Sequence, residues 1–148
     1  MCAAFVAAVA AAAPRSYAAK WGVDMGHVTP TPECAAYVGF LKEVSQTKGV
    51  AACAAAMVPC MRLYAFLGQQ LAAAKAPAGV YQEWVDTYAD AGFEELAATL
   101  EAILDRYAAG ASAEKVAELR ALYNKAMELE LDFFNAWGAE RQLEKAEL

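Results

Sequence analysis

Alanine occupies 38 of the 148 positions, and this narrows the fold more than any single motif does. Alanine is the strongest helix former and brings little apolar surface with it. A chain so rich in it is expected to be all-α, with helices packed closely around a modest core. The sequence has no period-two alternation of the strand kind, no internal repeat and no linker. Its apolar content of 59% excludes disorder as the main state. The length suits one domain. Residues 1–13 read as an alanine-rich N-terminal helix or leader, and residues 14–148 as one helical domain.

Charge and cysteine usage exclude several classes of function. The net charge is −6. It divides unevenly, with 6 basic and 3 acidic residues in 1–82 and 6 and 15 in 83–148. No basic cluster is large enough for a nucleic-acid footprint. The apolar run Cys2–Ala13 is too short to span a membrane, and neither a nucleic-acid nor a membrane partner is expected. One histidine, His27, lies in a loop and cannot build the two-histidine zinc or di-iron motifs, so no metal is expected. Cys53 and Cys60 fall two turns apart on one helix, about 10 Å between Cα atoms. A disulfide needs less than about 7 Å. The cysteines (Cys2, Cys34, Cys53, Cys60) are therefore read as thiols of a reducing compartment, cytoplasmic or plastid/mitochondrial.

Turn signals divide the chain. A first helical stretch stops at Trp21-Gly22, and 23–31 reads as loop. Thr31 is expected to cap a helix with Pro32 at its first position, burying Tyr37, Phe40, Leu41 and Val44, with Gly49 ending it. The next helix, about 50–76, carries the stripe Cys53, Met57, Cys60, Tyr64, Leu67 and Leu71, and contains Pro59, which predicts a kink beside Cys60. A short helix with Tyr81, Trp84, Val85 and Tyr88 on one face follows, broken or bent at 90–92 before a helix from Phe93 to about Ala108. The last helix starts near Ala113 with the stripe Val116, Leu119, Tyr123, Ala126, Glu130, Phe133 and Trp137.

Glu130 is the most informative residue in that stripe. Helical period places it on the same face as the aromatics, whereas Glu128, Asp132 and Glu140 fall off it. A carboxylate in a core is costly unless it is paired or used. It serves either proton transfer or a packing hydrogen bond. Cys60 is either a small buried hydrophobe or a nucleophile. With His27 in a loop, a carboxylate would have to be its proton partner. Tyr37, Tyr64 and Tyr88 each lie on the inward stripe of a different helix, as ordinary core or as flat faces and hydroxyls for a planar ligand.

Five segments, in order, resemble the TenA family, which comprises thiaminase II and the aminopyrimidine aminohydrolases. The stretch from Val58 to Gly68 resembles its LPCxWxYxEIG segment, and Trp21-Gly22-Val23-Asp24 its WGID. Thr31-Pro32 with Tyr37 and Phe40-Leu41 is similar to the family's PxxxxYxxFL. The run from Tyr81 to Tyr88 is similar to YxxWIxTY, and that from Glu128 to Phe134 to YExxFW. The similarity covers about 13–137. It implies a haem-oxygenase-like helical bundle, commonly tetrameric, that works without a metal or organic cofactor. The implied reaction is hydrolysis of an aminopyrimidine or of thiamin, giving hydroxymethylpyrimidine for thiamin salvage. The family's catalytic cysteine falls on Cys60 and its catalytic glutamate on Glu130, with the pyrimidine-pocket aromatics on Tyr37, Tyr64, Tyr88 and Phe133.

The sequence also departs from that pattern. The family's first helices, with an aspartate for the pyrimidine amine and a further aromatic, have no counterpart here. The family's tryptophan after the cysteine is Arg62, and the glutamate of YxEIG is Phe66. The expectation is accordingly a TenA-like hydrolase, or else a non-catalytic helical module on the same scaffold. In either case a homo-oligomer, or a partner chain supplying the missing helices, is expected to cover the open face.

Overall fold

The computed structural model describes residues 17–146 apart from Met25 and Ala76, with side chains as far as Ala136. Expectations for Cys2–Ala13 and for the side chain of Trp137 therefore lie outside the described residues. Residues 17–20 are helical and turn at Trp21-Gly22. Five helices follow: α1 (Pro32–Thr47), α2 (Val50–Ala74), α3 (Gln82–Ala89), α4 (Ala91–Ala109) and α5 (Ala113–Ala146), with a single 3-10 turn, Gly79–Tyr81, before α3. No strand occurs among the described residues.

Local chemistry sets the boundaries. Thr31 Oγ1 accepts from the Cys34 N–H at 3.2 Å, with Pro32 behind it in the first turn. Asp90 Oδ1 accepts from the Gly92 N–H at 2.8 Å and starts α4. Ser112 Oγ accepts from the Lys115 N–H at 3.3 Å in the first turn of α5. Gly49 corrects the expectation for α1. That helix ends at Thr47 with Lys48 extended, and Gly49 (φ −82°) instead caps the start of α2.

α2 is the axis of the fold and packs against α1, α3, α4 and α5. Residues Ala51–Ala56 are buried all round the helix, as are Val58 and Pro59. The single stripe read from the sequence is thus too narrow, because a central helix has neighbours on every side. Alanine suits this place, since a methyl side chain lets neighbouring helices come close. The core joins Val44, Ala51, Ala52, Cys53, Ala55, Ala56 and Leu119, with Phe40, Leu41, Leu104, Ala108 and Leu122 packed around it. Mean hydropathy of 1.7 and 25 residues would suit α2 to a membrane span by length and composition. Its alanine-rich half is instead enclosed by the other helices. The helix continues through Pro59, which lies inside it. Leu71 and Tyr81, both expected inside, are exposed at 43% and 68%. Leu71 extends past the end of the packed half of α2. Tyr81 belongs to the 3-10 turn, whose register differs from that of α3.

Candidate active site

Four helices deliver the site. α2 brings Cys60 and, one turn on, Tyr64; α1 brings Tyr37; α3 brings Trp84 and Tyr88; α5 brings Glu130, Phe133 and Phe134. The helical periods that point these residues inward also make them converge.

Glu130 is 2% exposed, the one buried charged residue in the described core, and neither carboxylate oxygen makes a hydrogen bond. The buried hydroxyl of Tyr37 is also without one. Unpaired buried polar atoms are costly and call for a reason. Burial pushes the Tyr37 phenol well above its ordinary value, and Cys60 and Glu130, both within electrostatic reach, push it further. The Cys60 thiol is pushed up to about 12, first by burial, then by the charge and hydrogen-bonding capacity of Glu130, with Tyr37 pulling weakly the other way. Tyr64 is raised by burial, then by Glu130, Cys60 and Tyr88, and Tyr88 by burial and then Cys60. Cys60, Glu130, Tyr37, Tyr64 and Tyr88 therefore share one electrostatic environment. The thiol in it is protonated at neutral pH, and a nucleophile there needs a base.

Rings continue the site. Tyr64 lies 5.0 Å from Tyr88, 5.8 Å from Trp84 and 6.2 Å from Phe134, centroid to centroid. Tyr88 lies 4.7 Å from Trp84 and meets Phe93 edge-on at 4.8 Å. Phe133 joins this set through Phe134, 6.0 Å away, so the ring beside Tyr64 is the neighbour of the residue that the sequence reading singled out. Glu130 also lines an open apolar groove of about 370 Å³ with Leu63, Leu67, Met127, Leu131 and Phe134. Among the described residues no cluster of three His, Cys, Asp or Glu side chains could hold a metal ion.

Two supports escaped the sequence reading. A Cβ on Gly68 would sit 2.4 Å from the Tyr88 carbonyl carbon and 2.7 Å from the Ala89 nitrogen, so its missing side chain is what brings the end of α3 onto α2. Its place one turn after Tyr64 was the available signal. Arg62, read as a departure from a motif, bridges Glu94 and Glu101 of α4. The i, i+7 spacing of those two glutamates could have suggested a shared partner.

Comparison with known proteins decides the family. The TENA/THI-4/PQQC family model matches residues 9–141. The chain belongs to this family. Its all-α bundle is accordingly of the haem-oxygenase-like kind. Over 123 residues, 82% of the chain, it is 35% identical to a thiamine biosynthesis multifunctional protein, ThiED, of Corynebacterium efficiens, covering 16% of that protein. It is 35% identical over 62% of its length to the mitochondrial bifunctional TH2 protein of Arabidopsis thaliana, covering 15% of it. It is 29% identical over 82% of its length to the aminopyrimidine aminohydrolase of Halalkalibacterium halodurans, covering 56% of that enzyme. The chain thus spans well under two thirds of each of these relatives.

Proposed function

We propose that this site hydrolyses an aminopyrimidine, or the aminopyrimidine half of thiamin, with Cys60 as nucleophile and Glu130 as the proton-transfer group. The observation that carries this reading is a buried carboxylate with no partner at hydrogen-bond distance, set close enough to the half-buried Cys60 thiol and to Tyr37 to shift both, with Tyr64 and Tyr88 in the same environment. A relative named as an aminopyrimidine aminohydrolase supports the substrate class. Tyr64 and Tyr88 offer flat faces for the heterocycle. Tyr37 offers a hydroxyl, and Phe133 backs the ring set through Phe134.

In this mechanism Glu130 takes the thiol proton as sulfur adds to an electron-poor ring carbon. It returns that proton to the departing amine, which leaves as ammonia. Water then supplies the incoming oxygen, and the thiol is regenerated as the C–S bond breaks. Neither proton nor electron pair requires a metal or organic cofactor. Burial of the site strengthens each of these polar contacts. The open groove beside Glu130 supports association, as a homo-oligomer or with a partner chain that covers it. A reducing compartment, cytoplasmic or plastid/mitochondrial, suits a thiol nucleophile.

The test is protection of Cys60. With 4-amino-5-aminomethylpyrimidine present, alkylation of Cys60 at pH 9 should fall while that of Cys34 is unchanged. Equal labelling of Cys60 with and without the pyrimidine would overturn the reading and favour a non-catalytic module.

A further inference from the structure

We propose that Arg62 is a positioning residue, which fixes the start of α4 against α2 through Glu94 and Glu101 and thereby holds the Tyr88 ring in the ligand face. The positioning stands on the geometry alone; naming the ligand rests on the aminopyrimidine reading.

Arg62 lies two residues after Cys60 and two before Tyr64. Two residues turn a helix by about 200°, so Arg62 leaves α2 on the side away from both. There its guanidinium makes a double fork. Nε donates to Glu101 Oε1 at 2.8 Å and Nη2 to Glu101 Oε2 at 2.6 Å, while Nη1 donates to both oxygens of Glu94 at 2.8 Å. Gln69 Nε2 also donates to Glu94 Oε2, at 2.7 Å. Arg62 and Gln69 are seven apart on α2, and Glu94 and Glu101 seven apart on α4. Two turns of each helix are thereby held in one register.

That register reaches the site through two adjacent residues. Glu94 is in the first turn of α4, and Phe93 beside it meets Tyr88 edge-on at 4.8 Å. Tyr88 lies 5.0 Å from Tyr64 and 4.7 Å from Trp84. Asp90 alone separates α3 from α4, so the end of α3 cannot shift without the start of α4. Gly68 lets this junction touch α2 but supplies no side chain to grip it. The grip comes from Arg62. Its side chain and those of Glu94 and Glu101 are 32%, 40% and 36% exposed, and pairs so exposed add little global stability. A planar bidentate fork does fix geometry, which one ammonium cannot do as well.

The experiment compares Arg62→Met, Arg62→Lys and Glu101→Gln with the wild-type chain by near-ultraviolet circular dichroism and by steady-state ammonia release. The dichroism reads the coupled rings Tyr64, Trp84 and Tyr88 whether or not the chain turns over. Arg62→Met should change that band and raise KM about tenfold while kcat changes by less than about twofold. Arg62→Lys and Glu101→Gln should fall between it and wild type. Lys48→Met removes an ion pair far from this junction, between Lys48, just past the end of α1, and Glu118 of α5, at 2.9 Å. It should leave band and KM as they are. A wild-type band in Arg62→Met, or a fall in kcat with KM unchanged, overturns the proposal. Should Arg62→Met not fold, the same readings on Arg62→Lys and Glu101→Gln decide it. Should the wild-type chain release no ammonia, the functional reading fails, and the dichroism still decides the positioning.

Discussion

Replacing Glu130 by glutamine keeps the shape of the side chain and removes its charge, which makes Glu130→Gln the sharpest probe of the coupling to Cys60. The Cys60 thiol ionises at about 12 instead of 9.0. At pH 8 an ordinary thiol is about one tenth thiolate, and one with a value near 12 about one part in ten thousand. The reactive fraction is therefore cut by about a thousandfold. Burial, the leading cause, survives the substitution, while the repulsion from Glu130 does not. The value for Cys60 should fall but stay above 9.0, and each unit of fall raises thiolate about tenfold at fixed pH. The assay is iodoacetamide labelling followed residue by residue by mass spectrometry from pH 7 to 11, with Cys34 as internal comparison. Wild-type Cys60 should label slowly, with a rate still rising at pH 11; Glu130→Gln should label faster at every pH below 11. A wild-type rate that levels near pH 9, or a Glu130→Gln rate equal to wild type, would refute the coupling. The same raised value sets the sign for stability. Above pH 9 the unfolded chain loses the thiol proton while the folded chain keeps it, so this contribution is complete below pH 9 and is lost as pH rises towards about 12.

Two further outcomes follow from the packing. Gly68→Ala places a methyl against the backbone of Tyr88 and Ala89, which cannot rotate away; urea unfolding should show a loss of about 1–3 kcal/mol, and an unchanged midpoint would contradict the close approach. The apolar groove, together with Leu131 at 61% and Phe134 at 43% exposure, should drive association at micromolar concentration; sedimentation velocity showing a lone monomer would count against a covered face.

Helical periodicity made Tyr37, Cys60, Tyr88 and Glu130 legible, because one buried face per helix leaves a regular trace in the sequence. Local side-chain chemistry made the cap at Thr31 legible, and the break at 90–92, though not that Asp90 caps a helix beginning at Ala91. Periodicity failed on α2. A helix enclosed on all sides has no single stripe, and alanine gives the same signal on a buried face as on an exposed one. Leu71 and Tyr81 were misplaced for the related reason that periodicity does not report where packing stops. Phe134, the ring beside Tyr64, was not singled out with Phe133, since adjacent aromatics on a helix differ by about 100° and either can reach a neighbouring ring. Arg62 and Gly68 act on partners 32 and more and 20 residues away. Such tertiary pairings leave only a weak trace, here the i, i+7 spacing of Glu94 and Glu101 and the place of Gly68 one turn after Tyr64.

The proposed chemistry needs Cys60 and Glu130 to act together on an aminopyrimidine. Ammonia release from 4-amino-5-aminomethylpyrimidine by the purified chain tests it most directly, with Cys60→Ser and Glu130→Gln measured beside the wild type. Release by the wild type should follow enzyme concentration and be lost in both variants, while each variant keeps the wild-type helical content. Release that persists in Cys60→Ser or in Glu130→Gln, or a folded wild-type chain that releases no ammonia at all, would contradict that chemistry.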